Sequence, residues 1–163
     1  MSGCGCISRG CSGTISYQVI GLSFSSISLD LSANKFTGVL PTEVEKFKNL
    51  EHLDISENML FGKIPTSLGS YVKLEYLAMR SNFFQGVIPS SLESLRGLQL
   101  LDLSKNNFSG NIPKFLESFI FLKLLNLSYN NFEGEVPTNG VFKNLSATVI
   151  KGNSKLCRQH AKV

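Results

Sequence analysis

Apolar and polar positions along this chain follow one short pattern that keeps coming back. In Leu101-Asp102-Leu103 the leucines fall on one side of an extended segment and the aspartate on the other. Asn106 follows, then Phe108, Gly110, Ile112 and Pro113. The pattern is anchored on Asn34, Asn58, Asn82, Asn106 and Asn130, each 24 residues after the one before. Five residues ahead of each asparagine stands Leu29, Leu53, Leu77, Leu101 or Leu125, and three ahead Leu31, Ile55, Met79, Leu103 or Leu127. Two residues after it comes Phe36, Leu60, Phe84, Phe108 or Phe132, and four after it always a glycine, from Gly38 to Gly134. Five repeats held in phase without an insertion predict a solenoid.

Each position has a physical reading. The alternating segments predict short strands that neighbouring coils pair in parallel. The asparagine faces inward, where its amide donates and accepts for backbone groups as the strand turns away. The phenylalanines stack as an internal spine. Glycine permits a backbone that other residues resist, and proline suits an extended segment leaving the strand. Apolar residues then recur every three positions, as in Leu92, Leu95 and Leu98, which predicts a short helical or 3₁₀ turn on the outer side. The fold class is therefore an α/β solenoid, and the family resemblance carried by the same residues implies a right-handed superhelix or horseshoe. A short parallel sheet lines its concave side, and 3₁₀ turns, short helices or extended segments form the convex side. One coil cannot bury its own apolar face, so stability comes from stacking.

The motif LxLSxNxFxGxIP on a 24-residue repeat resembles the leucine-rich repeat of the plant extracellular type. From Gly13 to Cys157 the chain resembles the membrane-proximal repeats and cap of a receptor-like serine/threonine kinase ectodomain. The resemblance implies a binding module for a peptide or protein ligand, with a leucine-rich-repeat co-receptor ectodomain as second partner. It implies signalling in defence or development at the extracellular face of the plasma membrane. Two other origins carry the same repeat or a remnant of it: a secreted protein similar to the polygalacturonase inhibitors, and a truncated gene product without independent activity.

The organisation follows from where the period starts and stops. Residues 1–12 are rich in Gly, Ser and Cys. They read either as an irregular segment or as a decayed coil. In the second case Cys4 and Cys6 take the strand-leucine slots, Arg9 the asparagine slot and Cys11 the phenylalanine slot, as small apolar thiols. Residues 13–137 hold one partial repeat, with Ser16, Val19 and Leu22 in its second half, and five full ones. Residues 138–157 leave the period and resemble the carboxyl-terminal cap, with Thr148 to Ile150 as a last irregular strand. Residues 158–163 are a tail. In the family a second cysteine follows the one at Cys157 and pairs with it. Here Arg158-Gln159-His160 follow instead, so Cys157 is expected to lack a local partner. Cys4, Cys6 and Cys11 would lie on the order of 25 Å away, against about 7 Å for a disulfide.

Composition removes several classes of function. A net charge of +4 with 17% charged residues, dispersed along the chain, does not describe a nucleic-acid surface. No run of 18 apolar residues predicts a membrane span, and the start lacks the layout of a signal peptide. An ectodomain needs both an entry signal and an anchor, so the chain reads as a fragment, a truncated gene product or an incomplete gene model. Cys4-x-Cys6-x4-Cys11 has no second pair or nearby histidine, so neither a metal nor a cofactor is expected. With only His52 and His160, no Ser-His-Asp order, no P-loop around Gly62-Lys63 and no kinase motif, the chain is not expected to be an enzyme.

Candidate contacts lie on the outward positions of the strands. Arg80 stands where the other four repeats carry serine. His52, Asp54, Tyr76 and Arg80 then form a mixed polar and aromatic patch for a peptide or partner ectodomain, with Arg80 open to a carboxylate. The plainer alternative is a solvated sheet face with ordinary cross-strand pairs. Asp30, Asp54 and Asp102 share one phase and read as repeat consensus. Lys143 is carried over by its place in the cap, near which co-receptors of the family dock. Asn107-Phe-Ser, Asn126-Leu-Ser and Asn144-Leu-Ser are sequons for glycosylation. A glycan on Asn126 would cover part of the concave sheet.

Overall fold

The computed structural model describes residues 10–15, 28–42, 49–144 and 146–157. The expectations for Cys4, Cys6, Arg9, Ser16, Val19, Leu22 and the 158–163 tail lie outside these residues. The chain runs through β1 (Ser12–Thr14), β2 (Ser28–Asp30), β3 (Lys35–Gly38), β4 (His52–Asp54), β5 (Met59–Gly62) and the 3₁₀ turn η1 (Thr66–Ser70). It continues with β6 (Tyr76–Ala78), β7 (Phe83–Gly86), η2 (Ser90–Ser94), β8 (Leu100–Asp102), β9 (Asn107–Asn111) and η3 (Lys114–Ser118). The last elements are β10 (Leu124–Asn126), β11 (Asn131–Glu135), η4 (Gly140–Lys143), β12 (Thr148–Val149) and β13 (Lys155–Cys157).

Two parallel sheets result. The concave sheet has the order β12-β10-β8-β6-β4-β2. Its register is without slip: Leu53 faces Leu77 and Leu77 faces Leu101. The second sheet, β1-β3-β5-β7-β9-β11-β13, was expected only as an extended segment. Its strands arise because the asparagine-led stretch alternates a buried phenylalanine or leucine with exposed neighbours, as in β7 and β9. The repeat glycine ends β3, β5 and β7, whereas β9 and β11 run one residue past it. Gly62 and Gly110 have φ of 88° and 75°, a region that resists side chains. A Cβ there would also come within 2.9 Å of Val39 or Val87 on the coil before. In this sheet each glycine faces the next coil's core residue, Gly62 opposite Phe84 and Gly86 opposite Phe108.

Between the sheets lies one continuous core. Phe84, Phe108 and Phe132 are fully buried and stack at centroid distances of 6.2 and 6.3 Å. Leu77, Leu101 and Leu125 are buried as well, on the inner side of the concave strands. On the convex side Pro65, Pro89 and Pro113 set the extended backbone that leads into η1, η2 and η3. Each of these turns buries one leucine, Leu68, Leu92 or Leu116.

The asparagines tie one coil to the next. Asn82 Nδ2 donates to Ile55 O on the previous coil at 2.9 Å and to Met79 O on its own at 3.2 Å. Its Oδ1 accepts the Leu60 N–H at 3.0 Å. Asn58, Asn106 and Asn130 repeat the arrangement. Asn34 accepts the Cys11 N–H at 2.9 Å. The residue before each asparagine has a left-handed backbone, with φ of 53–56° at Ala33, Glu57, Ser81, Lys105 and Tyr129. Its N–H reaches the next coil, as Lys105 N does Ser128 O at 2.9 Å.

Both ends carry findings of their own. Cys11 is buried where later coils place a phenylalanine, and it is disulfide-bonded rather than a thiol. At the other end β12 extends the concave sheet beside β10 and β13 extends the second sheet beside β11. Asn153 adds a further rung, accepting Phe132 N at 3.1 Å and donating to Leu127 O at 3.0 Å. Gly152, at φ 78°, takes the left-handed position before it. Cys157 is exposed and unpaired.

Candidate functional site

The outward face of the concave sheet is built by strand alternation, which turns the leucines in and leaves the residues between them out. Zero-slip register sets His52 beside Tyr76 and Asp54 beside Ala78, with Asp102 on the far side of Ala78. The His52 and Tyr76 rings meet edge to face, 6.0 Å apart and inclined at 74°. Burial first, then the carboxylates of Asp54, Asp102 and Asp30, push the Tyr76 phenol above its ordinary pKa, while Arg80 works the other way. The phenol therefore stays protonated and offers a donor over the whole physiological range.

The aspartates have local work. Asp54 Oδ1 accepts Ser56 N at 2.9 Å, and Asp30 and Asp102 do the same for Ser32 and Ser104. These bonds close the strand ends, as asparagine and aspartate side chains do in turns. The second oxygen of Asp102 accepts a long bond from Asn126 Nδ2 on the next coil, at 3.4 Å. Asn126 holds the equivalent place on β10 and binds both the N–H and the hydroxyl of Ser128.

Arg80 does not stand open. It forms an ion pair with Glu57 on the preceding coil. Both side chains are roughly half exposed, at 43% and 49%, so the pair is weak and exchangeable. Glu57 was missed in the sequence because it sits one position past Ser56, in the left-handed turn rather than in the strand. Two further residues belong to the same edge. Lys151 holds in the cap the position that Arg80 and Ser128 hold in their coils, since its carbonyl accepts the Tyr129 N–H at 2.8 Å. Its ammonium lies over the Tyr129 ring, 5.7 Å from the centroid.

His52, Asp54, Tyr76 and Arg80 thus share one face. Lys143 does not join them: it ends η4, which packs on η3 on the convex side. Of the sequon asparagines, Asn107 and Asn144 are exposed and Asn126 is half-buried. Asn144 Oδ1 accepts the N–H of its own sequon residue Ser146 at 3.0 Å. Among the described residues no group of three or more His, Cys, Asp and Glu side chains is placed to hold a metal, and no helix is long and apolar enough to cross a membrane.

Comparison with known proteins matches the Leucine Rich Repeat family model to residues 25–47, 49–71, 73–95, 97–119 and 121–141. No curated protein sequence matches. Among solved structures, the leucine-rich repeat ectodomain of the receptor kinase SOBIR1 from Arabidopsis thaliana is 34% identical, with a TM-score of 0.73 over 80% of this chain and 72% of that one. PEPR1, solved with AtPEP1, is 32% identical, with a TM-score of 0.81 over 91% of this chain and 21% of that one. The Arabidopsis receptor kinase HAESA, solved with the peptide hormone IDA and the co-receptor SERK1, is 35% identical, with a TM-score of 0.78 over 93% and 25%. The chain therefore spans most of the first structure and a quarter or less of the other two.

Proposed function

The chain belongs to the leucine-rich repeat family, and from that premise we propose that it is the ligand-recognition module of a plant receptor-kinase ectodomain. In this reading a peptide lies across the concave strands β4, β6 and β8. One observation carries it. On those coils a T-shaped His52–Tyr76 pair, outward carboxylates and the single arginine of the serine column converge on one exposed face. Tyr76 donates to a ligand carbonyl, Asp54 and Asp102 accept from ligand N–H or ammonium groups, and a ligand carboxylate displaces Glu57 from Arg80. HAESA and PEPR1, solved with peptides, support the choice of ligand class.

The finer parts of the reading are a leucine-rich-repeat co-receptor docking near the last repeats and cap with Lys143, and a role in defence or developmental signalling at the extracellular face of the plasma membrane. Glycosylation at Asn107, Asn126 and Asn144 completes it, with the two exposed sites favoured over Asn126. The test is a selection of peptides with free carboxyl ends against the full chain, followed by titration. Selected peptides are expected to lose at least about tenfold in affinity on Arg80→Ala, on Tyr76→Ala and on amidation of the peptide, since a charge-assisted bond contributes about 1.5–3 kcal/mol. Affinities that do not change with either substitution overturn the reading.

A further inference from the structure

The second sheet offers a comparison that the repeat itself provides. Its strands present two outward positions per coil, and the same positions can be read along the stack. The first is Lys35, Met59, Phe83, Asn107 and Asn131; the second is Thr37, Phe61, Gln85, Ser109 and Glu133. Three of the five coils, those of β3, β9 and β11, carry polar residues at both positions. Only β5 and β7 break the rule, and they do so next to each other.

Met59, Phe61 and Phe83 are 46%, 48% and 62% exposed. Phe61 and Phe83 are direct partners across the two strands, so both rings rise from the same side of the sheet. Val39, also exposed, leans over Gly62 and extends the apolar area toward the first coil. The core does not need these side chains, because Leu60 and Phe84 already fill it from the opposite face. Exposed aromatics and methionine in one contiguous patch mark an interaction surface on a folded protein.

The rim indicates what covers it. Lys63 lays its side chain along Gly86 at the end of β7, and Lys35 opens β3, which pairs with β5. Among the described residues neither lysine has a carboxylate partner, and the nearby Glu57 is already engaged by Arg80. An apolar centre with unpaired ammonium groups at its edge is complementary to a protein surface that carries apolar anchors among carboxylates. We propose that this face of β5 and β7 is a docking surface for such an acidic, apolar-anchored protein segment. The surface is separate from the concave face, with the Glu57–Arg80 pair as the border between them, and it does not depend on the peptide reading.

The test uses the full chain and a defined probe: a fluorescent twelve-residue peptide alternating Glu with Leu and Phe, and its counterpart with Lys for Glu. The variant combines Met59→Asn, Phe61→Ser and Phe83→Asn, the residues other coils carry at these positions. A second variant, Lys35→Glu with Lys63→Glu, leaves the apolar centre intact. Anisotropy titrations are expected to show the acidic probe binding at least tenfold tighter than the basic one. That preference is expected to vanish in both variants. Equal binding of the two probes, or a preference that survives the triple variant, overturns the proposal. So does self-association of the parent chain that the triple variant abolishes, which would make the occupant a second copy. Sedimentation with anionic phosphatidylserine vesicles that depends on the same residues overturns it in favour of a membrane surface.

Discussion

Replacing Asn82 by alanine tests the inter-coil ladder, and the structure sets the size of the effect. The side chain makes two strong inter-coil contacts, an acceptor bond from Leu60 N and a donor bond to Ile55 O. Adding up every bond it makes would overstate the loss. Ile55 O still receives Asn58 Nδ2, and Met79 O still receives Asn106 Nδ2. The one group left with nothing is the Leu60 N–H, in a residue with no exposed surface. An orphaned buried donor costs about 1–3 kcal/mol, so Asn82→Ala is expected to destabilise by that amount. Asn82→Asp keeps an acceptor for Leu60 but aims a second anionic oxygen at the carbonyls of Ile55 and Met79. It should be worse than alanine at neutral pH and recover toward it as acid protonates the carboxylate. Urea titration measures the totals. Hydrogen exchange at the Leu60 amide localises them, which matters in a stack whose coils contact only their neighbours. A Leu60 amide that stays equally protected in Asn82→Ala would refute the account, as would an aspartate variant milder than alanine at pH 7.

Two other outcomes follow from the core and the cap. Phe108→Ala removes the middle ring of the Phe84–Phe108–Phe132 stack and should cost about 3–5 kcal/mol in equilibrium unfolding; a loss below about 1 kcal/mol would mean that the spine does not hold the coils. Glu117 accepts the N–H groups of Asn139 and Thr138 at 2.9 Å, which together hold its carboxyl below the usual value. Its contribution is therefore present above the unfolded value of about 4.3 and fades as pH falls through the depressed folded value. Between pH 7 and 3 the cap amides of the parent should lose protection more steeply than those of Glu117→Gln, and equal slopes would remove the linkage.

What could be read before folding was whatever repeats. Strand leucines, ladder asparagines and the phenylalanine spine recur at one interval, so each occurrence supports the others. Features that depend on a neighbour in a different column were out of reach. Glu57 pairs with Arg80 across 23 residues, not 24, and comparison at equal phase never sets them side by side. Asn153 lies 23 residues after Asn130 and follows no leucine-x-leucine segment; its one local signal is the Gly152 that precedes it. The second sheet was hidden because its strands are only three to five residues long, too short for alternation to show. Lys143 was placed by its position along the chain, and η4 carries it to the convex side. Cys11 showed its slot but not its chemistry, since a buried cysteine reads alike as thiol or disulfide until its surroundings are known.

The slip-free pairing of the concave strands makes the molecule a ruler. Side chains on that face can be separated along the stack only in whole steps of about 4.8 Å. Substitution changes what stands at a step but not where the step is. Gain or loss of one complete unit would carry everything beyond it by a single notch, with the bonds on either side reformed as before. A lineage built this way can retune the distance between two contact groups by counting, without redesigning a loop or a core.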